Sequence, residues 1–185
     1  FYDGSEKWLV PQDPENKSRK QAPYRLSVRT PSGGPDPVFS LTSVFVPNKR
    51  QNLAAFISVD ADAVQSDYGT IRVLRLPNDT AIPGPGQVQN NNKSDQNVAT
   101  TVNLLQRGDS RVVYGNLLTV PVGGGLLYVE PVYVKATTGT SYPLLRKVLV
   151  AFGNQIAFED TLQAALDRVF SGNAGTPPTT SGTPP

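Results

Sequence analysis

A chain of 185 residues with 17 Lys and Arg against 15 Asp and Glu has room for one domain with a real core, and its interspersed charges create no broad field for nucleic acid or anionic lipid. The lack of Cys and His removes disulfides, thiolate zinc sites, and the commonest general base and transition-metal ligand, so most familiar hydrolase mechanisms lose a part. With 17 Pro and 16 Gly the chain should be rich in turns and strands. It holds no Met and begins "FYDGSEKW", which suggests a mature product or, preferably, an excised fragment. No signal peptide is read in this stretch, and no apolar run in it approaches the ~20 residues a membrane helix requires, so this piece is expected to be soluble.

Residues 1–22 hold a short apolar clump, Trp8, Leu9 and Val10, followed by a polar, Pro-punctuated stretch, and read as an arm and loop. From Tyr24 the pattern alternates, with Tyr24, Leu26 and Val28 on one side and Arg25, Ser27 and Arg29 on the other, as a half-buried strand requires. Further β-rich runs follow at Val38–Val46, "LAAFISVDA" and "TIRVLRL". Turn-forming segments separate these four runs, which predicts an antiparallel meander. The segment "PNDTAIPGPGQVQNNNKSD" is dense in Pro, Gly and Asn and reads as a long surface loop.

A helix is predicted next, with Ser94 as N-cap, Val98, Val102 and Leu105 on one face and Gly108 beyond its end. "TVPVGGGLLYVEPVYV" (119–134) places glycines between two apolar arms. Glycine-rich loops cradle phosphate where a strand runs into a helix N-terminus, and here a strand follows, so the segment predicts a hairpin with a three-glycine loop and Val122 opposite Leu126. A second hairpin is expected where Leu145–Phe152 and Ile156–Phe158 flank Gly153 and Asn154. The clearest helix follows: Asp160 as cap with Gln163 reaching back, a stripe of Leu162, Ala165, Leu166, Val169 and Phe170, and Gly172 at its end. Residues 172–185 read as a flexible Pro/Thr/Gly-rich tail. The expected organisation is an arm (1–22), a single α+β domain (23–171) and the tail. The domain should hold a mainly antiparallel sheet of about seven to nine strands with two helices packed on it.

Glu130 is the candidate acid. Alternation places it on the face of Tyr128, Val132 and Val134, where a buried carboxylate needs a partner or a raised pKa. It could be a general acid or ligand contact, or it could form a structural ion pair to an arginine on a neighbouring strand. Asp60, Asp62 and Asp67 are candidate cation ligands, although Val64, Gln65 and Ile71 occupy the positions where an EF-hand needs oxygen, glycine and glutamate. The basic stretches "NKSRK" and "KRQN" are short and read as solvated loops rather than a polyanion site. N-x-[ST] triplets at Asn16, Asn78 and Asn92 are expected in loops.

The succession "WLVPQDP", "APYRLSVRTP", "FSLTSVFVP", "NLAAFISVDAD", "YGTIRVLRLP", "IPGPGQVQNN", "GDSRVVYGNLLTVPVGGGLLYVEPVYV" and "SYPLLRKVLVAFGNQIAFEDTLQAALD" resembles the C-terminal part of UPF0182, a family of uncharacterised bacterial multi-pass membrane proteins. The resemblance runs from Trp8 to Phe170. It implies a large inner-membrane parent with N-terminal transmembrane helices and an extracytoplasmic region to which this chain belongs. It implies no activity, no cofactor and no catalytic residue. The leading expectation is a non-enzymatic extracytoplasmic module for assembly, ligand binding or envelope contact. Its partners would be the remainder of its own membrane-embedded polypeptide, a second copy or an envelope component, and not nucleic acid. One alternative is a carboxylate-dependent hydrolase or lyase acting on a cell-envelope polymer, with Glu130 and Asp60 or Asp62. A cation-binding domain is the other.

Overall fold

The computed structural model describes residues 7–29, 36–77 and 80–172. Its elements in chain order are β1 (Trp8–Leu9), β2 (Tyr24–Val28), β3 (Val38–Pro47), β4 (Ala55–Asp60), β5 (Ile71–Arg75), α1 (Pro85–Ser94), α2 (Gln96–Leu105), β6 (Ser110–Tyr114), β7 (Leu118–Val122), β8 (Gly125–Ala136), β9 (Leu144–Phe152), β10 (Gln155–Glu159) and α3 (Leu162–Val169). The expected antiparallel α+β character holds. The described strands form two five-stranded sheets rather than one sheet of seven to nine, and three helices replace the expected two.

The first sheet contains the meander β2–β3–β4–β5, every pairing antiparallel. β1, within the segment expected to be an arm, pairs with the far end of β3 through Trp8–Pro47 and Leu9–Val46. A two-residue strand carries too little pattern to be recognised without its partner. The second sheet runs β10–β9–β8–β6, and β7 also pairs with β8. β8 is long enough to serve both β6 and β7 on one edge: residues 125–129 pair with β7 and 132–136 with β6, while β9 lines the other edge. Pro131 falls at the junction between the two partners, where it interrupts neither ladder. There its carbonyl accepts the Gly115 N–H at 2.8 Å.

The glycine hairpin forms, with a different register from the one expected. Gly123 and Gly124 both have positive φ and make a two-residue turn, so Val122 pairs with Gly125 and Pro121 with Leu126. A two-residue turn with both φ positive matches the twist of the flanking strands better than a wider loop. Gly125 is therefore the first strand residue, and it is glycine for another reason: a Cβ there would lie 2.7 Å from the Phe152 ring.

The larger correction concerns "PNDTAIPGPGQVQNNNKSD". Pro85–Ser94 of this segment is helix α1, with Pro85, Val88, Gln89 and Asn92 buried. Proline suits the first helical position, where no N–H is needed, and the Gln87 side chain accepts the Gly84 N–H at 3.0 Å. Asparagine is a weak helix former, and packing overrides that preference: Val88 enters the core shared by both sheets, beside Phe56, Leu126 and Tyr128. α2 keeps its predicted face, Val98 and Val102, but its cap is Asp95, which accepts the Asn97 and Val98 N–H groups, and not Ser94. In α3 the cap is Thr161 rather than Asp160. Asp160 pairs instead with Lys147 at 2.9 Å, and Gln163 bonds Asp167. One face of the second sheet packs Leu127, Val148, Val150 and Ala157 against Ala165 and Val169 of α3. The opposite face carries Leu149 against α2.

Candidate functional site

The side chain of Glu130 is almost fully buried, 1% exposed. As expected it shares a face with Tyr128 and Val132, which are also buried. Among the described residues no arginine forms an ion pair with it. Its partner comes from α1, the helix whose residues read as a loop: the Gln89 amide donates to Glu130 Oε1 at 2.9 Å. The same nitrogen donates to Glu15 Oε1, and Glu15 also receives Lys93 Nζ at 2.6 Å. A polar chain thus runs from surface to core, Lys93 to Glu15 to Gln89 to Glu130. Lys93 lies over the Tyr114 ring, 4.4 Å from its centroid.

Burial pushes the Glu130 carboxyl up to about 7. The Gln89 hydrogen bond opposes that rise, Glu15 adds to it, Lys93 opposes it and Asp13 adds to it. Near neutrality the group is therefore poised between acid and anion. Its Oε2 has no hydrogen-bond partner among the described residues, an arrangement easier to sustain for a neutral carboxyl than for a carboxylate. Burial also raises the Tyr114 phenol, with Glu130 and Glu15 contributing in that order.

One turn beyond Gln89, Asn92 is 1% exposed, and neither its Oδ1 nor its Nδ2 has a partner among the described residues. This places the third N-x-[ST] triplet inside a buried helix face and not in a loop. Asn16 is exposed, with its Oδ1 accepting from Ser18; Asn78 lies outside the described residues.

The aspartates do not join Glu130. Asp60, buried at the end of β4, takes the Arg72 guanidinium at 2.7 Å, and Asp67 takes the same Nη2 at 3.1 Å. Asp62 accepts the Val64 N–H. Arginine thus stands between two of the three proposed cation ligands, and among the described residues no group of three or more acidic side chains converges as a metal site requires. The alternative reading pairs Glu130 with Asp60 or Asp62; the hydrogen bonds link Glu130 to Glu15 through Gln89, and Asp60 to Arg72. Glu15, Gln89 and Lys93 escape a reading of the sequence because their contacts join segments 41 to 78 residues apart.

Two of the clefts among the described residues border α1, and Glu130 lines neither. One, of about 560 Å³, lies between α1 and the tips of the two hairpins, with Asn92, Leu126, Phe152 and Ile156 in its wall. The other, of about 260 Å³, lies between β1, the β3–β4 turn and the start of α1, and Gln89 closes its inner end. No helix among the described residues is long and apolar enough to cross a membrane.

The profile of the uncharacterised protein family UPF0182 matches residues 1–105. A UPF0182 protein of Streptomyces coelicolor is 55% identical over 175 residues, 94% of this chain and 17% of the relative. One from Bifidobacterium longum is 50% identical over 190 residues, 95% of this chain and 18% of the relative. One from Clavibacter sepedonicus is 52% identical over 193 residues, 95% of this chain and 20% of the relative. The chain therefore spans about a fifth of the length of these relatives. No solved structure matches. The order of its segments, the family profile and identity of about half with much longer relatives agree: the chain belongs to the uncharacterised protein family UPF0182.

Proposed function

We propose that this domain is a non-enzymatic assembly module on the extracytoplasmic side of a multi-pass membrane protein, docking onto the remainder of its own polypeptide through the outer face of the first sheet. The observation that carries this reading is the make-up of that face. The register aligns Leu41, Val59 and Ile71 in one row and Ile57 with Val73 in the next. Ile71 is 66% and Val73 49% exposed, while α1 reaches the first sheet from its inward side, through Val88. An antiparallel sheet with a solvent-facing side ordinarily alternates apolar inward and polar outward. Here the inward face mixes Ser40, Thr42, Ser58 and Asp60 with Val44, Val46 and Phe56, and the outward one holds a contiguous apolar cluster, Leu41, Ile57, Val59, Ile71 and Val73, bordered by Arg25, Ser43 and Arg75. A contiguous apolar face marks a contact surface, and relatives about five times longer supply polypeptide to cover it. The sealing of Glu130 behind Gln89 supports the non-enzymatic half of the proposal.

The test is Ile71→Lys with Val73→Lys, placed both in this chain and in the full-length parent. The chain should fold as before, since both side chains already face outward. The parent should become protease-sensitive at this domain. A parent with unchanged proteolysis and yield removes the docking face. Single cysteines at Val64 or Tyr142, both exposed, labelled from outside intact cells, test the side of the membrane.

A second reading, a carboxylate-dependent hydrolase or lyase acting on a cell-envelope polymer, has one observation in its favour. Glu130, raised toward 7, and the more exposed Glu15 meet at one amide, and pairs of carboxylates in unlike environments divide acid and base roles. Turnover of such a polymer by this chain, lost in Glu130→Gln, would replace the assembly reading.

A further inference from the structure

Two basic stretches that look like solvated loops in the sequence lie against one cleft. Lys17 and Lys20 come from the segment after β1, Lys49 and Arg50 from the β3–β4 turn, and all four line the 260 Å³ recess. The fold brings them together by backbone pairing. β1 is zipped to the end of β3, and the Asn48 N–H donates to the Lys7 carbonyl at 2.8 Å. Gln12 bridges to Lys20 across the intervening loop. Lys49 itself sits at φ 63, so the turn holds a lysine where glycine or asparagine would be the easier choice.

None of the four cations forms an ion pair within the described residues. The one carboxylate in the lining, Asp13, is already engaged, by the Glu15 and Asn16 N–H groups and by Arg19 at 3.7 Å. Four exposed cations around one recess form a positive rim that a compact multivalent anion complements. The recess ends at the first turn of α1, where Gly86 is in the lining and a Cβ on it would meet nothing within 4 Å.

We propose that this cleft binds a phosphate-bearing anion, either a soluble phosphate or diphosphate or the headgroup of an anionic lipid, with Lys17, Lys20, Lys49 and Arg50 as its cationic walls. The site is independent of the docking face, and either can fail without the other. Tetrahedral phosphate engages several cations at once, with Arg50 as fork and the lysines as point charges.

The test is calorimetric titration of this chain at low ionic strength with inorganic phosphate and pyrophosphate, beside co-sedimentation with vesicles of phosphatidylglycerol or of phosphatidylcholine alone. Saturable one-to-one pyrophosphate binding should weaken at least about tenfold in Lys49→Ala/Arg50→Ala, and by less than about twofold in Arg25→Ala/Arg107→Ala, which removes the same charge elsewhere. Lys17→Ala/Lys20→Ala, from the other wall, should reproduce the loss and guards against misfolding of the first pair. Capture by phosphatidylglycerol vesicles with the same residue dependence, without pyrophosphate binding, identifies the headgroup as the source. Equal weakening by the cleft pairs and the control pair, or no binding of any probe, overturns the proposal.

Discussion

Replacing Glu130 by glutamine removes one proton-binding group from the core and little else, because the amide keeps an oxygen to accept from Gln89. In the unfolded chain the carboxyl titrates at 4.5, and in the fold at about 7. Between those values the unfolded chain has released a proton that the native chain still holds, so raising the pH favours unfolding. The contribution of Glu130 is fully present below pH 4.5 and is lost as pH rises through 7. A tenfold difference in proton affinity between the two states corresponds to about 1.4 kcal/mol, so the loss approaches about 3 kcal/mol. For a domain of this size that is a melting-temperature change of about 6–12 °C. Thermal unfolding of wild type and Glu130→Gln at half-unit intervals from pH 4.5 to 8 measures it. The two curves should run close together at the acid end and diverge upward, with the variant the more stable at pH 8. Parallel curves across the range would refute the reasoning, as would a carboxyl carbon signal for Glu130 that titrates near 4.5.

Other substitutions probe the elements around this site. Gly84→Ala would place a Cβ 2.0 Å from the Gln51 carbonyl oxygen, and is expected to cost ~3 kcal/mol in denaturant unfolding by forcing α1 away from the β3–β4 turn. Arg72→Met leaves Asp60 buried without its cation, which should lower the denaturant midpoint at pH 7, and Asp60→Asn on the same background should partly restore it. Asn92→Leu substitutes an apolar side chain with the same number of heavy atoms for an amide with no partner among the described residues, and should raise the unfolding free energy by about 1–3 kcal/mol; a decrease would mean that the amide is satisfied in solution. Millimolar calcium should leave the melting temperature unchanged, since the Arg72 guanidinium already occupies the space between Asp60 and Asp67; a rise would restore the cation reading.

Much of the architecture was legible in the residues. Period-two alternation located β2 to β5 and the two hairpins, because each strand buries one face and the pattern survives without knowledge of its partners. The face of α2, the middle of the α3 stripe (Ala165, Leu166 and Val169, with Leu162 and Phe170 exposed) and the burial of Glu130 beside Tyr128 and Val132 follow from the same local periodicities. Two further absences are properties of the sequence alone: without His or Cys no imidazole or thiolate chemistry is available here, whatever the fold.

What tertiary structure decided was everything that depends on partners distant in sequence. Pro85–Ser94 reads as loop by propensity and is helix because Val88 and Gln89 find the core and Glu130. The hairpin register was set by the two positive-φ glycines and by Gly125 packing on Phe152, not by the apparent symmetry of the apolar arms. The division into two sheets depends on β1–β5 pairing among themselves and β6–β10 among themselves, which no single strand encodes. Lys17, Lys20, Lys49 and Arg50 become one cleft only when β1 pairs with β3. Local sequence specifies periodicity and turn chemistry, which are short-range. Which carboxylate meets which amide, and which lysines share a recess, are settled by long-range pairing.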